Sequence, residues 1–210
     1  MFYSFAVALL YFLFKAFFRL KISGQENIPR EGALIIASNH VSFFDPVVVG
    51  ISSPRKLNFM ARESLFENKL FAKIITALNT FPVNRDGSDP SAFKTALDKL
   101  INQNALLLFP EGTRSPDGSL QAPKKGIGFL VSKSKAKVLP CFIKGTDEAW
   151  PKDLSFPRPK PITIHFGKVI DFNGSQLEEE LDKKKAYSYI ANKVMEAIGE
   201  LRKDADRSSG

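Results

Sequence analysis

Two polar side chains, His40 and Asp45, follow the same predicted strand and have the chemistry of a base and the group that orients it. They lie in the sequence ASNHVSFFDP, at the end of the apolar run Ala33–Ala37, where an α/β protein commonly builds its site. On a regular helix, residues five apart point about 140° away from each other. On a turn that leads into a helix beginning at Pro46, the carboxylate can fold back toward the imidazole. An Asp that accepts a hydrogen bond from one ring nitrogen fixes the tautomer and leaves the other nitrogen free to act as a base.

The same segment also has structural interpretations that need no catalysis. Asp45 followed by Pro46 is the sequence of a helix N-cap with Pro at the first helical position. Because a carboxylate has two oxygens, Asp45 can cap the helix and orient His40 at the same time. We expect Ser42 to hydrogen-bond the backbone of the turn, because the chain contains no G-x-S-x-G nucleophile motif. The other histidine, His165, lies in the alternating run ITIHF and is interpreted as a structural or surface residue.

A second polar cluster follows the apolar run Ala105–Phe109. The segment Phe109–Ser115 (FPEGTRS) puts a carboxylate, two hydroxyls and a guanidinium on one loop, and Arg85 lies in another loop that precedes a predicted helix. Arg is the natural bidentate partner of a phosphate group. From Arg114 to Lys137 the chain carries six basic residues and one acidic residue. A solvated basic face would explain that run alone, but together with the two loops it predicts a site for phosphate groups.

Short apolar runs alternate with helical patterns along the rest of the chain. The predicted strands are Ala33–Ala37, Leu57–Met60, Ala105–Phe109, Val138–Ile143 and Ile162–Phe166. The predicted helices lie within Leu65–Leu78, after the Asp89–Pro90 cap, over Lys124–Ser134, and after the capping box Ser175–Glu178. This alternation predicts an α/β fold in which a mixed, mostly buried sheet is flanked by helices.

The first twenty residues, MFYSFAVALLYFLFKAFFRL, contain six of the nineteen Phe residues. At 100° per residue, one stripe holds Ser4, Ala8, Tyr11, Lys15 and Arg19, and the opposite face holds Phe2, Phe5, Leu9, Phe12 and Leu13. Such a wide apolar face predicts an amphipathic helix embedded in a membrane, with a buried core helix as the alternative. The apolar stretch before Lys15 is shorter than the roughly twenty residues that cross a bilayer. The basic residues at its end place the following domain on the cytoplasmic side.

Composition narrows the class of protein. The chain has 210 residues, of which 44% are hydrophobic and 25% charged, and this excludes a disordered chain, a collagen-like fibre and a polytopic membrane bundle. A single cysteine excludes an intramolecular disulfide and a Cys-based zinc site. The net charge of +8 indicates an anionic partner, either phospholipid, nucleic acid or an acidic carrier. We expect no nucleic acid, because no recognised binding motif is present and the Phe residues lie mostly in apolar runs.

Four blocks of the chain resemble, in order, those of the lysophosphatidic acid acyltransferases, a family of glycerolipid acyltransferases. The resemblance covers roughly residues 20 to 145, and its blocks are Asn39–Asp45 (NHxSxxD, which contains the His-x4-Asp motif), Phe81–Arg85, Phe109–Ser115 (FPEGTRS) and Val138–Gly145 (VLPCFIKG). It implies a glycerolipid acyltransferase-like fold. The expected organisation is a membrane-anchoring hydrophobic segment at residues 1–22, an acyltransferase domain at 23–202 and a disordered tail at 203–210.

The resemblance implies a reaction at a membrane phospholipid surface. A fatty acyl group would pass from an acyl thioester, acyl-CoA or acyl-ACP (acyl carrier protein), to the sn-2 hydroxyl of 1-acyl-glycerol 3-phosphate (lysophosphatidic acid), forming phosphatidic acid. His40 would be the general base and Asp45 its orienting partner, with no cofactor and no metal ion. Because a thiolate is a good leaving group, direct transfer needs no acyl-enzyme. Cys141, in a buried apolar run, is expected to be inert.

The resemblance also implies where the substrate binds. The implied substrate-binding residues are Arg85, Glu111, Gly112, Thr113, Arg114, Lys124 and Lys125. As an anion, Glu111 cannot bind phosphate, so we expect it to orient Arg114 or a glycerol hydroxyl. A related enzyme acting on another lysophospholipid or on glycerol 3-phosphate remains an alternative, because the motifs do not report pocket shape. A non-catalytic membrane lipid-binding protein is a further alternative.

Overall fold

The chain folds around one mixed β-sheet. A computed structural model of the protein describes residues 2–84, 89–151, 154–173 and 182–207. Within these ranges the strands are β1 (Lys21–Ser23), β2 (Leu34–Ser38), β3 (Leu57–Arg62), β4 (Thr80–Val83), β5 (Ala105–Leu108), β6 (Lys137–Lys144) and β7 (Thr163–Phe166). Their order in the sheet is β1-β7-β6-β2-β5-β3-β4. Only the β6–β7 pair is antiparallel among the strands described. The predicted mixed α/β fold is confirmed.

Helices cover both faces of this sheet. The α-helices of the described residues are α1 (Phe2–Phe18), α2 (Asp45–Ser52), α3 (Lys69–Ala77), α4 (Pro90–Ile101), α5 (Gly126–Ser134), α6 (Thr146–Ala149) and α7 (Lys183–Arg207). Short 3-10 helices lie at Gln25–Asn27 and Glu63–Phe66. One apolar core contains residues of α1 and α2, and the other contains residues of α4, α5 and α7.

The central strand β2 shows how the sequence produces two cores. Leu34 and Ile36 point into the core shared with α1 and α2, whereas Ile35 and Ala37 point into the opposite core. Side chains alternate between the two faces of a strand, so a continuous apolar run satisfies both layers. All five predicted strands are present, and β2 ends directly before His40.

Neither edge strand of the sheet was predicted from the sequence. No strand was predicted at Thr80–Val83, directly before the loop expected to hold Arg85, but this segment forms β4 and pairs with β3 at one edge of the sheet. Pro82 is tolerated there because an edge strand leaves one row of backbone groups without a strand partner. At the other edge, β1 has only three residues, Lys21–Ser23, which is too short for an alternating pattern to be recognised.

The C-terminal helix continues further than the sequence indicated. Residues 203–207, placed in a disordered tail, form the last turns of α7. Ala205 is buried in the core, and Asp206 accepts a hydrogen bond from Lys144 at 2.7 Å, so these turns pack on the domain. The predicted tail is therefore wrong for these residues, and residues 208–210 lie outside the described ranges. The predicted capping box, Ser175–Glu178, also lies outside them.

Helix α1 has two apolar faces rather than one. Phe14 is buried in the core, and Leu10 and Phe18 pack beside it. The face predicted from the sequence points into solvent and includes Phe5 and Phe12, which are 68% and 69% exposed. The buried-helix interpretation therefore holds for one side of α1, and the membrane anchor on the exposed side stays a prediction. None of the helices in the described ranges has the length and apolar character needed to cross a bilayer.

Candidate active site

The structure brings His40 and Asp45 together. Nδ1 of His40 lies 2.8 Å from Oδ2 of Asp45, across a tight loop between β2 and α2. The imidazole is 6% exposed and the carboxylate is fully buried. The predicted return of the carboxylate toward the ring is confirmed. Because Nδ1 faces the carboxylate, Nε2 is the ring nitrogen that can accept a proton from a substrate.

Asp45 is held by four donors in the described part of the chain. Its Oδ2 accepts the hydrogen bond from His40 and two more from the backbone N–H groups of Val41 (2.6 Å) and Ser42 (2.8 Å). Its Oδ1 accepts from the hydroxyl of Thr146 at 2.6 Å. Helix α2 begins at Asp45, so its carboxylate bonds the preceding loop instead of capping the helix, and the N-cap interpretation is wrong. A buried carboxylate with this many donors has one defined orientation.

The ring of His40 is fixed on its face as well as at its edge. It stacks on Phe109 with the ring centroids 3.9 Å apart and the planes at 13°. The imidazole lines a cavity of about 190 Å³. The apolar residues Met60, Phe93 and Ile127 also line this cavity. The imidazole is therefore fixed at its edge and on its face, and it lines a cavity.

Glu111 connects the second motif to the first. Its Oε1 accepts a hydrogen bond from the backbone N–H of His40, and its Oε2 accepts from the backbone N–H of Gln121, both at 2.9 Å. The backbone N–H of Ser115 also donates to the carbonyl of His40 at 2.7 Å. Burial raises the pKa of the Glu111 carboxyl, and the two backbone hydrogen bonds oppose this rise. Glu111 therefore hydrogen-bonds backbone groups of two loops and not Arg114, which was one of its two expected partners.

Gly112 and Lys124 line the same cavity as His40. Gly112 has a φ of 72°, and a Cβ atom at this position would lie 2.8 Å from Cδ of Lys124. The left-handed backbone at this position favours glycine, and the flexible side chain of Lys124 packs directly against it. The backbone N–H of Lys124 donates to the carbonyl of Pro110 at 2.8 Å, which holds the lysine at the cavity.

Three further predicted substrate-binding residues, Thr113, Arg114 and Lys125, are described and do not line this cavity. The guanidinium of Arg114 stacks over the exposed ring of Phe43, 3.8 Å from its centroid. Thr113 and Lys125 are exposed, and Lys125 directly precedes α5. Arg85 lies outside the described residues. Its chain neighbours Val83 and Asn84 line the cavity.

Several residues of the site were not predicted. Asn84 and Asp89 line the cavity, and Asp89 caps α4 by accepting from the backbone N–H groups of Ser91 and Ala92. Hydrogen bonds, the strongest from the Ser91 hydroxyl, lower the pKa of Asp89 to about 2. The sequence identified Asp89 as a cap but gave no sign that it lies at the cavity. Thr146 carried no signal except its position directly after the fourth block.

Three residues that were interpreted as structural from the sequence make contacts that fit this interpretation. Ser42 donates to the carbonyl of Trp150 and accepts from the backbone N–H of Phe44. Nδ1 of His165 lies 2.7 Å from Oγ of Ser23, across the β1–β7 pair. Cys141 is buried in β6, and burial raises the pKa of its thiol, which favours an unreactive residue.

Comparison with known proteins identifies the family. The family model described as Acyltransferase matches residues 19–144, which contain the His40–Asp45 pair, the first three blocks and all of the fourth except Gly145. The chain belongs to this acyltransferase family. It is 30% identical over 128 residues to a 1-acyl-sn-glycerol-3-phosphate acyltransferase of Bacillus subtilis (strain 168), covering 60% of this chain and 63% of that protein. It is 32% identical over 152 residues to a protein of the same name from Limnanthes douglasii, covering 70% of this chain and 53% of that protein. The acyltransferase thus spans somewhat more than half the length of these relatives.

A solved structure extends the similarity to nearly the whole acyltransferase. The crystal structure of the 1-acyl-sn-glycerophosphate (LPA) acyltransferase from Thermotoga maritima superposes with a TM-score of 0.70 at 28% identity. The match covers 92% of this chain and 80% of that one. A 1-acyl-sn-glycerol-3-phosphate acyltransferase of Borreliella burgdorferi is 24% identical over 192 residues, covering 90% of this chain and 76% of that protein.

Proposed function

We propose that this acyltransferase moves a fatty acyl group from an acyl thioester to the sn-2 hydroxyl of 1-acyl-glycerol 3-phosphate, forming phosphatidic acid. The observation that carries this proposal is the His40–Asp45 pair, held at 2.8 Å on the wall of a cavity that also contains Lys124. The relatives from Bacillus subtilis and Thermotoga maritima carry names that state acyl transfer to this acceptor. The combination of a positioned base, a cation and an apolar wall suits a phosphorylated lipid alcohol.

In the proposed reaction, Nε2 of His40 takes the proton of the sn-2 hydroxyl as its oxygen bonds to the thioester carbonyl carbon. The carbon–sulfur bond then breaks, the thiolate leaves with the electron pair, and the imidazolium returns the proton to it. Asp45 accepts from Nδ1–H and stabilises the positive ring during the transfer. A base positioned in this way contributes on the order of 10²–10⁴ to the rate. The step balances without a cofactor, a metal ion or an acyl-enzyme.

The phosphate of the acceptor is proposed to bind on the basic side of the site. Lys124 is an exposed residue that lines the cavity and packs against Gly112, and its ammonium group is proposed to neutralise a phosphate oxygen. Arg114, whose guanidinium stacks over Phe43 three residues along the chain from His40, is proposed to assist. Arg85 follows the cavity residue Asn84 and is proposed as a further phosphate ligand. Thr113 and Lys125 are proposed to contact the headgroup at the outer rim.

The substrate is proposed to come from a membrane, and the donor, acyl-CoA or acyl-ACP, from the cytoplasmic side. The exposed face of α1, with Phe5 and Phe12 more than two-thirds exposed, supports an interfacial anchor. Large aromatic side chains on one side of a helix partition into the headgroup and acyl boundary. The charges at its end, Lys15 and Arg19, suit the anionic phosphates of that boundary.

A set of matched acceptors tests the proposal. Thiol release from acyl-CoA and from acyl-ACP is measured with 1-acyl-glycerol 3-phosphate, with its 2-deoxy analogue, with 1-acyl-glycerol, with glycerol 3-phosphate and with a lysophospholipid of larger headgroup. We expect release only when a free sn-2 hydroxyl is present, and the highest kcat/KM for 1-acyl-glycerol 3-phosphate. Equal release with the 2-deoxy analogue would contradict acyl transfer to that oxygen, and equal kcat/KM without the phosphate would contradict the acceptor.

A further inference from the structure

Helix α3 exposes an apolar surface that the fold does not cover. Leu70 is 71% exposed, Phe71 44% and Ile74 41%. All nine residues of α3 are described, and none of them is buried. The helix contacts the domain through the half-buried side chains Ala72 and Ile75. A helix this apolar would be expected to bury its apolar face against the protein, so an exposed face indicates a partner outside it.

The charges on α3 identify the chemistry of that partner. Lys69 and Lys73 are exposed and lie one turn apart, beside Leu70 and Ile74 on the helix surface. The helix, with the sequence KLFAKIITA, contains no acidic residue. Basic side chains that flank an apolar stripe match the interface of a bilayer containing anionic lipid.

The position of α3 next to α1 supports the same partner. The two helices border one apolar groove of about 200 Å³, with Val7 and Leu10 of α1 on one side and Phe71 and Ile75 of α3 on the other. Each helix points further apolar side chains into solvent beside this groove. Both helices therefore border one apolar groove and also expose apolar side chains.

We propose that α3 is a second membrane-contacting element, which places Leu70, Phe71 and Ile74 in the acyl boundary of an anionic bilayer and Lys69 and Lys73 at its phosphates. The inference rests on the proposed function only in assuming that the acyltransferase works at a membrane. One interfacial helix leaves the domain free to rotate about the helix axis, whereas a second contact fixes its orientation. The groove between α1 and α3 then faces the lipid.

Environment-sensitive probes on the full chain test this proposal. Cys141 is fully buried, so a single introduced cysteine can be labelled selectively. A nitrobenzoxadiazole probe on Leu70→Cys should shift to the blue when phosphatidylcholine vesicles containing phosphatidylglycerol are added. The matched control is Ile101→Cys, which is 55% exposed on α4 and belongs to the opposite side of the sheet. Its probe should remain in water, and a blue shift at both positions would overturn the proposal.

A variant in the helix provides an independent measurement. Leu70→Ser combined with Ile74→Ser leaves the groove residues intact and should weaken sedimentation with the anionic vesicles by at least about tenfold. Thiol release in detergent should stay at the wild-type rate, so a loss of chemistry is distinguishable from a loss of docking. Unchanged sedimentation would overturn the proposal. A wild-type dimer that the two substitutions dissociate would also overturn it, and would assign the surface to another copy of the chain.

Discussion

The hydroxyl of Thr146 controls the orientation of Asp45, and removing it should have a measurable effect on both stability and rate. Thr146→Val keeps the shape of the side chain but removes the 2.6 Å hydrogen bond to Oδ1 of a fully buried carboxylate. Hydrogen bonds to charged groups contribute about 1.5–3 kcal/mol, so the free energy of unfolding should fall by about this amount. Asp45 keeps its bonds to His40 and to two backbone N–H groups, so the pair persists with a less defined orientation.

We expect kcat for acyl transfer to fall by roughly tenfold in this variant, with KM for both substrates nearly unchanged, because Thr146 acts through Asp45 and not on the substrate. Thr146→Ser retains the hydroxyl and should restore most of the rate. Thr76→Val, at an exposed position of α3, is the matched control for stability. The measurements are steady-state thiol release and denaturant unfolding. A wild-type kcat in Thr146→Val, or a Ser variant as slow as the Val variant, would refute the reasoning.

Three further outcomes follow from the structure. Burial raises the pKa of Glu111 in the folded protein. Its contribution to stability is therefore present below the ordinary carboxyl pKa of 4.5 and is lost as pH rises through the raised pKa. The difference in unfolding free energy between wild type and Glu111→Gln should decline over that pH range, and a difference that does not change with pH would contradict this. Arg114→Ala should raise KM for the phosphorylated acceptor by about tenfold with little change for 1-acyl-glycerol, and an equal change for both would exclude a phosphate role. Phe5→Ser with Phe12→Ser should release the protein from vesicles without altering thermal unfolding, because both side chains are exposed, and undiminished sedimentation would place the anchor elsewhere.

Local patterns in the sequence were sufficient for most of the sheet. The runs that form β2 and β5 are short, apolar and bounded by polar or turn residues, and this local pattern is enough to predict a buried strand. The edge strand Thr80–Val83 depends on pairing with β3. In the local sequence alone, Pro82 disfavours a strand. The continuation of α7 through Ala205 and Asp206 also depends on contacts with distant residues, which a pattern of polar residues near a chain end does not reveal.

The same distinction applies to the candidate site. His40 and Asp45 lie five residues apart, so a turn was enough to predict their contact. Glu111 reaches the backbone of His40 across 71 residues of chain, and Thr146 reaches Asp45 across 101. Carboxylates and hydroxyls bond many partners, so their identity in the sequence does not specify which distant group they meet. The His40–Asp45 contact was therefore predictable from one motif, whereas the hydrogen bonds that join the separate motifs depend on the fold.

The central claim is that His40 removes the proton from the acceptor hydroxyl, and single-turnover acyl transfer tests it most directly. The rates of His40→Ala and His165→Ala are compared at saturating lysophosphatidic acid, after both proteins have been shown to unfold like the wild type. Since a positioned base is worth at least about a hundredfold in rate, we expect His40→Ala to slow by that factor and His165→Ala to keep the wild-type rate. A wild-type rate in His40→Ala would contradict the mechanism.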